Sequence, residues 1–126
     1  MKAKVLLVDD EPAVLACLTA VLGRQGYSVT AAATGEAALD QLERRVFDLV
    51  VTDYRMPGLG GDAVVRAIRE RQDDVAVLLI TGLVDELPDW LRSGPEAVRI
   101  LAKPFAISDL LREAAGVLRS APTVCS

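Results

Sequence analysis

Two adjacent carboxylates, Asp9 and Asp10, close the short apolar run KVLLV. A third, Asp53, closes LVVT and runs straight into the turn residues Met56-Pro57-Gly58. Thr81 and Gly82 close the run VAVLLI, and Lys103-Pro104 follows VRILA. Singly, each has an ordinary use: Asp10 as a helix N-cap, Asp53 as a turn cap, Thr81 as a strand end, Lys103 as a solvated cation. Gathered in one place they would be three carboxylates, a hydroxyl and one ammonium. Three carboxylates together repel and raise one another's pKa unless a cation joins them. One lysine cannot neutralise three such groups. A hard divalent ion can, and Mg²⁺ (or Mn²⁺) suits a few carboxylates completed by water. A site of this make-up is built for a metal and an anionic group together.

Whether these residues meet depends on the elements that carry them. Strands are predicted over Ala3–Val8, Tyr27–Ala32, Leu49–Thr52, Val75–Ile80 and Val98–Leu101. Four of these are nearly continuous in Val, Leu and Ile, the signature of strands covered on both faces of a parallel sheet. The second alternates Val29 and Ala31 with Ser28 and Thr30, as suits a sheet edge. Helical spacing follows each strand. The first helix carries Val14, Leu15, Leu18, Val21 and Leu22 behind Pro12. The second runs from about Glu36 to Val46, entered through Thr34-Gly35, and the third from Asp62 to Arg71 with Val64, Val65 and Ile68 inward. The fourth is short, around Leu87–Ser93, bracketed by Pro88 and by Gly94-Pro95. The last carries Leu110, Leu111, Ala114, Val117 and Leu118. Five β-α units joined by short connections predict one α/β domain with a doubly wound parallel sheet of five strands. Ligands of such sheets bind outside the carboxyl ends of the strands, where strand order reverses. Asp9, Asp10, Asp53, Thr81 and Lys103 all fall at those ends.

At 126 residues and 52% hydrophobic, the chain has apolar mass for a single core. Its net charge of -4 lacks the basic footprint of a nucleic-acid binder. The absence of histidine removes Ser-His and Cys-His nucleophile pairs, His-ligated zinc and any phosphohistidine of the chain's own. Cys17 lies in a helical pattern and Cys125 near the C-terminus, with no CxxC spacing. Reduced thiols in a cytoplasmic protein are expected. The first apolar run stops at two aspartates, too soon for a signal segment, and no run approaches a membrane span. Neither nucleic acid nor membrane is expected as a partner.

VDDEP, DYRMPG, ITG and KPF, in this order and spacing, resemble the receiver domain of two-component response regulators from about Lys4 to Arg119. The resemblance implies a flavodoxin-like sheet in the order 2-1-3-4-5, a receiver domain over residues 1–119 and a flexible tail over 120–126. It implies that Asp53 is the phosphoacceptor, forming an aspartyl phosphate. Asp10 and Asp53 would bind Mg²⁺ with the backbone carbonyl of Arg55, and Asp9 would act through water or by orienting the ion. Lys103 would pair with Asp53 before reaction and with a phosphoryl oxygen after it. Thr81, beside Gly82, would donate its hydroxyl to the phosphoryl group, and the Lys103-Pro104 bond would be cis, aiming the lysine inward. The donor would be a histidine kinase or a histidine phosphotransfer protein. The output would be a downstream protein or a covalently linked domain, the methionine just before the first strand disfavouring a C-terminal piece of a hybrid kinase. The face made by the fourth helix, fifth strand and last helix would serve partners, a homodimer among them. No enzymatic activity is expected beyond self-phosphorylation and slow self-dephosphorylation.

The chain also departs from the family. Three positions before the lysine, where many receivers carry an aromatic switch residue, stands Ile100. The segment LVDELPDWLRSGPEAVRIL is reshaped around Pro88 and Gly94-Pro95, with Trp90 either partly buried packing or an exposed anchor. Arg55 has three uses open to it: shielding an acyl phosphate, pairing with Asp9 or Glu11, or facing solvent. The other function class in view is a degenerate receiver, a constitutive interaction module, although no acidic or lysine member is missing. An aspartyl phosphatase would want a second aspartate where Arg55 stands, and a flavin or nucleotide binder would want a Gly- or Ser/Thr-rich loop in place of DDEPAV.

Overall fold

A computed structural model of the chain describes residues 2–71, 75–93 and 98–120. In chain order the elements are β1 (Lys4–Val8), α1 (Pro12–Arg24), β2 (Ser28–Ala32), α2 (Gly35–Arg44), β3 (Leu49–Asp53), α3 (Gly61–Arg71) and β4 (Ala76–Thr81). A 3-10 turn (Val84–Glu86), α4 (Asp89–Arg92), β5 (Arg99–Ala102) and α5 (Ile107–Ser120) complete it. The strands form one parallel sheet in the order β2-β1-β3-β4-β5. Val8 lies level with Ala32 on one side and Thr52 on the other.

Strand residues alternate between two cores because successive side chains leave opposite faces. Leu6, Val8, Val50, Val77 and Leu79 meet α2, α3 and α4 through Ala38, Leu42, Val64, Val65, Ile68 and Leu91. Val5, Leu7, Leu49, Val51, Leu78 and Ile80 meet α1 and α5 through Leu18, Leu22, Leu110 and Ala114. Only a two-sided core explains why β3 and β4 are buried along their whole length. β2 sits at the edge, and Ser28 and Ala31 are exposed.

Several boundaries differ from the sequence reading by one residue, and two helices differ by more, each for a local reason. α2 ends at Arg44, two residues early: Arg45 turns extended and leaves Val46 70% exposed, so that Phe47 can enter the core. The fourth helical segment shrinks to one turn, Asp89–Arg92. Pro88 stands at its N-cap with ψ 150, and the residues before it coil into the 3-10 turn instead. Gly94-Pro95, expected to stop that helix, lies outside the described residues. β4 and β5 are each shifted by one residue, to Ala76–Thr81 and Arg99–Ala102. α5 carries the chain through Ser120, and the rest of the expected tail lies outside the described residues, as does Cys125. No helix among the described residues is long and apolar enough to cross a membrane.

The chain leaves β1 toward β2 and later returns to the other side of β1 as β3. The order reverses there, and the crevice lies at the carboxyl ends of β1 and β3.

Candidate functional site

Asp9 and Asp10 follow β1 into that crevice, and Asp53 is the last residue of β3. One oxygen from each carboxylate lies within 4.8 Å of the other two. Asp9 and Asp53 are buried, at 3% and 6% exposure, whereas Asp10 is the most open of the three. Asp10 is not the helix cap. That position belongs to Glu11, whose side chain makes no capping bond, and whose backbone N–H donates to Asp9 Oδ1 at 2.9 Å.

β4 and β5 bring the remaining members. Lys103 Nζ lies 3.0 Å from Asp53 Oδ1, and the Lys103-Pro104 peptide is cis. Thr81, the last residue of β4, is 3% exposed. Its Oγ1 accepts a bond from Leu83 N–H at 3.0 Å, which leaves the hydroxyl proton for another partner. The Lys103 N–H donates to the Thr81 carbonyl at 2.8 Å, so the two residues are held by one backbone bond. Gly82 is exposed beside them, where a Cβ would make only ordinary contact, 3.8 Å, with the lysine Cβ. Asp10, Glu11, Asp53, Arg55, Thr81 and Lys103 line a cleft of about 300 Å³.

The electrostatics leave this cluster short of positive charge. Burial, then the charges of Asp53 and Asp10, hold the Asp9 carboxyl above its ordinary pKa despite the bond from Glu11. Burial likewise raises Asp53, outweighing its contact with Lys103. For Lys103, burial pulls down, but the hydrogen bond to Asp53 and the charges of Asp53, Asp9 and Glu11 together push it up. Burial is the first cause at both carboxyls, and repulsion among the aspartates adds to it, while the Lys103 ammonium is raised by the carboxylates around it. The donor set is all oxygen, one group is open to solvent, and the charge needed is positive. A hard divalent ion therefore fits.

The strand that ends at Asp53 is positioned by close backbone packing. The Tyr54 N–H donates to the Ile80 carbonyl at 2.9 Å, and the Gly61 N–H to the Tyr54 carbonyl at 2.8 Å. A Cβ on Gly61 would lie 2.6 Å from the Asp53 carbonyl oxygen and 2.9 Å from Tyr54 Cα, both main-chain atoms that cannot swing aside. Gly61→Ala is therefore expected to cost about 2 kcal/mol, like other overpacked sites, and to push the Asp53–Arg55 backbone off its position. A thermal denaturation curve unchanged from wild type would contradict that packing.

Residues 5–115 match the sequence model of the family described as response regulator receiver domain. The chain belongs to that family. This receiver domain is 41% identical over 113 residues to the response regulator protein FleR of Pseudomonas aeruginosa, a match covering 88% of this chain and 24% of the relative. It spans about half the length, 52%, of the mycobacterial response regulators named MprA, at 38% identity over 94% of this chain. Among solved structures it is similar to the receiver domain of a sensor histidine kinase from Pseudomonas aeruginosa, which has a magnesium ion coordinated in its active site cleft. That match has TM-score 0.83 and 30% identity over 95% of this chain and 100% of that one. It is also similar to the response regulator TrrA of Thermotoga maritima, solved with Mg²⁺ and a beryllium fluoride, with TM-score 0.79 and 31% identity over 93% of this chain and 99% of that one.

The receiver domain's other singled-out residues have definite places. Ile100 is half-buried in β5 against the core beneath α2, α3 and α4. Trp90 packs on the same core, with the Arg66 guanidinium 4.4 Å from its ring centroid, and is packing rather than a free anchor. The Arg55 guanidinium pairs with Glu86, a partner that the sequence reading did not name. Glu11, at the cleft wall, and Gly61, under Asp53, were also not singled out as site residues. Gly61 had only its place in a Gly-rich turn to signal it, and Glu86 had no local signal at all.

Proposed function

We propose that this receiver domain takes a phosphoryl group from a partner phosphohistidine onto Asp53. The observation that carries the reading is the meeting of Asp9, Asp10 and Asp53 with Lys103 Nζ, 3.0 Å from Asp53, at the point where strand order reverses. Asp10, Asp53 and the Arg55 carbonyl would hold Mg²⁺ (or Mn²⁺), with Asp9 orienting it through water. When bound, the ion supplies the positive charge that lets a carboxylate approach the phosphoryl oxygens. An Asp53 carboxylate oxygen attacks phosphorus in line. The O–P bond forms as the donor's P–N bond breaks, and the imidazole nitrogen keeps the electron pair and takes a proton from solvent. Lys103 shifts from the carboxylate to a phosphoryl oxygen, and the free Thr81 hydroxyl proton goes to another. The domain signals rather than catalysing turnover of a substrate.

The donor is a histidine kinase or histidine phosphotransfer protein in the cytoplasm. The output passes to a downstream protein or a linked domain through the face of α4, β5 and α5, which is also where a homodimer would form. The test is intact mass after incubation with acetyl phosphate and Mg²⁺. A single phosphoryl adduct, lost on chelation, is expected. No adduct together with no Mg²⁺ binding would leave a constitutive interaction module as the reading.

A further inference from the structure

Four carboxylates, Asp9, Asp10, Glu11 and Asp53, gather at the cleft against one ammonium, that of Lys103. Among the described residues lining the cleft, Arg55 is the one other cation. Its Nη2 is engaged by Glu86 Oε1, the last residue of the 3-10 turn. That pair ties the loop after the acceptor strand to the segment after Thr81-Gly82. A second tie to the same segment is the bond from Leu83 N–H to Thr81 Oγ1, and Leu83 also accepts from the Glu86 N–H at 2.9 Å.

We propose that Arg55 is a second phosphoryl-binding cation, held in reserve by Glu86, whose transfer to the phosphoryl group frees the Val84–Glu86 turn. The proposal rests on the phosphoacceptor reading of Asp53. Phosphorylation replaces one carboxylate charge with a group carrying nearly two, so the cleft needs a further cation. The Arg55–Glu86 pair is cheap to break. Its side chains are 66% and 51% exposed, and such pairs change an equilibrium by about fivefold at most. A guanidinium on phosphoryl oxygens makes charge-assisted, forked bonds that are stronger than that. The exchange therefore runs from Glu86 toward the phosphoryl group. Leu87 and Leu91 are buried, and Val84 and Trp90 pack on the same core, so what is set free is the outer side of the turn, Asp85 and Glu86 with the neighbouring Leu83, which is 42% exposed. This route to the α4 face needs no aromatic ring at Ile100.

The test is a double-mutant cycle on beryllofluoride binding in the presence of Mg²⁺, followed by fluorine NMR of the bound anion and by fluorescence of the lone tryptophan, Trp90. Both side chains are more than half exposed, so Arg55→Gln and Glu86→Gln leave the cores untouched. Glu86→Gln is expected to tighten binding about two- to fivefold by removing the competitor, and Arg55→Gln to weaken it about fivefold. In the Arg55→Gln background, Glu86→Gln is expected to do nothing. Equal affinity in all four proteins overturns the latch. So does a Glu86→Gln gain that survives without Arg55, because it reports general charge rather than exchange. A wild type that binds no beryllofluoride and forms no acetyl phosphate adduct removes the phosphoacceptor reading as well; a wild type that does either, with a flat cycle, removes the latch alone.

Discussion

Asp53→Asn is expected to abolish the phosphoryl adduct, a loss of about a thousandfold or more in initial rate, with the fold intact. An amide has no charge to donate and is a poor nucleophile toward phosphorus, so the chemistry loses its attacking atom rather than a supporting one. The shape survives. Asn is isosteric, its Oδ1 can still accept from Lys103 Nζ, and the backbone bonds at Tyr54 and Gly61 do not involve the side chain. Because burial already holds the Asp53 carboxyl above its ordinary pKa, removing the charge does not destabilise the metal-free fold. Intact mass of wild type and variant, side by side with acetyl phosphate and Mg²⁺, checks the claim. An adduct of unchanged yield in the variant would move the acceptor to Asp9 or Asp10. Those two follow β1 on the other side of the crevice and lack the 3.0 Å lysine contact that Asp53 has.

What the sequence made legible follows from where its signals are local. Continuous runs such as LVVT and VAVLLI mark strands buried on both faces, and the four site-bearing strand ends were legible to within one residue, β3, β4 and β5 each running one residue further than expected. The order of the strands came from resemblance, and the structure has it. The misread boundaries sit where local preference is weak or opposed. At Val46 an apolar residue prolongs a helical pattern, but packing of Phe47 ends the helix earlier. At Pro88 the ring allows a helix to begin yet leaves only one turn before Ser93 turns extended. Arg55 shows the deeper limit. Its partner Glu86 is 31 residues away, on a turn whose position depends on how β4 and α4 pack, and no spacing rule reports such a pairing. The close approach of Gly61 to the Asp53 carbonyl is equally invisible until α3 is docked.

The same charge deficit that suits the cleft to a metal is expected to make the metal-free protein less stable at neutral pH than in mild acid, as far as this cluster decides. Asp9 and Asp53 have folded-state pKa values above 3.8, burial being the first cause in each. The unfolded chain releases these protons near the ordinary value, while the folded chain holds them to higher pH. In that window the folded state binds more protons, so each rise in pH favours unfolding, and above the folded values the whole penalty is present. Lys103 does not offset the change. Its raised pKa adds stability that is fully present below 10.5 and is lost only in more alkaline solution. Other carboxylates contribute to any acid profile, so the quantity to measure is the difference between wild type and Asp9→Asn, whose side chain is 3% exposed. Asp9→Asn is expected to raise the metal-free Tm at pH 7 by about 3–6 °C, a gain of about 1 kcal/mol, and by less as pH falls toward 4. Mg²⁺ at a hundredfold excess over its Kd would stabilise the wild type by about 2.7 kcal/mol and the Asp10→Asn variant far less. A Tm indifferent to Mg²⁺, together with a pH-independent difference for Asp9→Asn, would mean that the three carboxylates are not energetically coupled. The crevice would then be only an acidic strand edge.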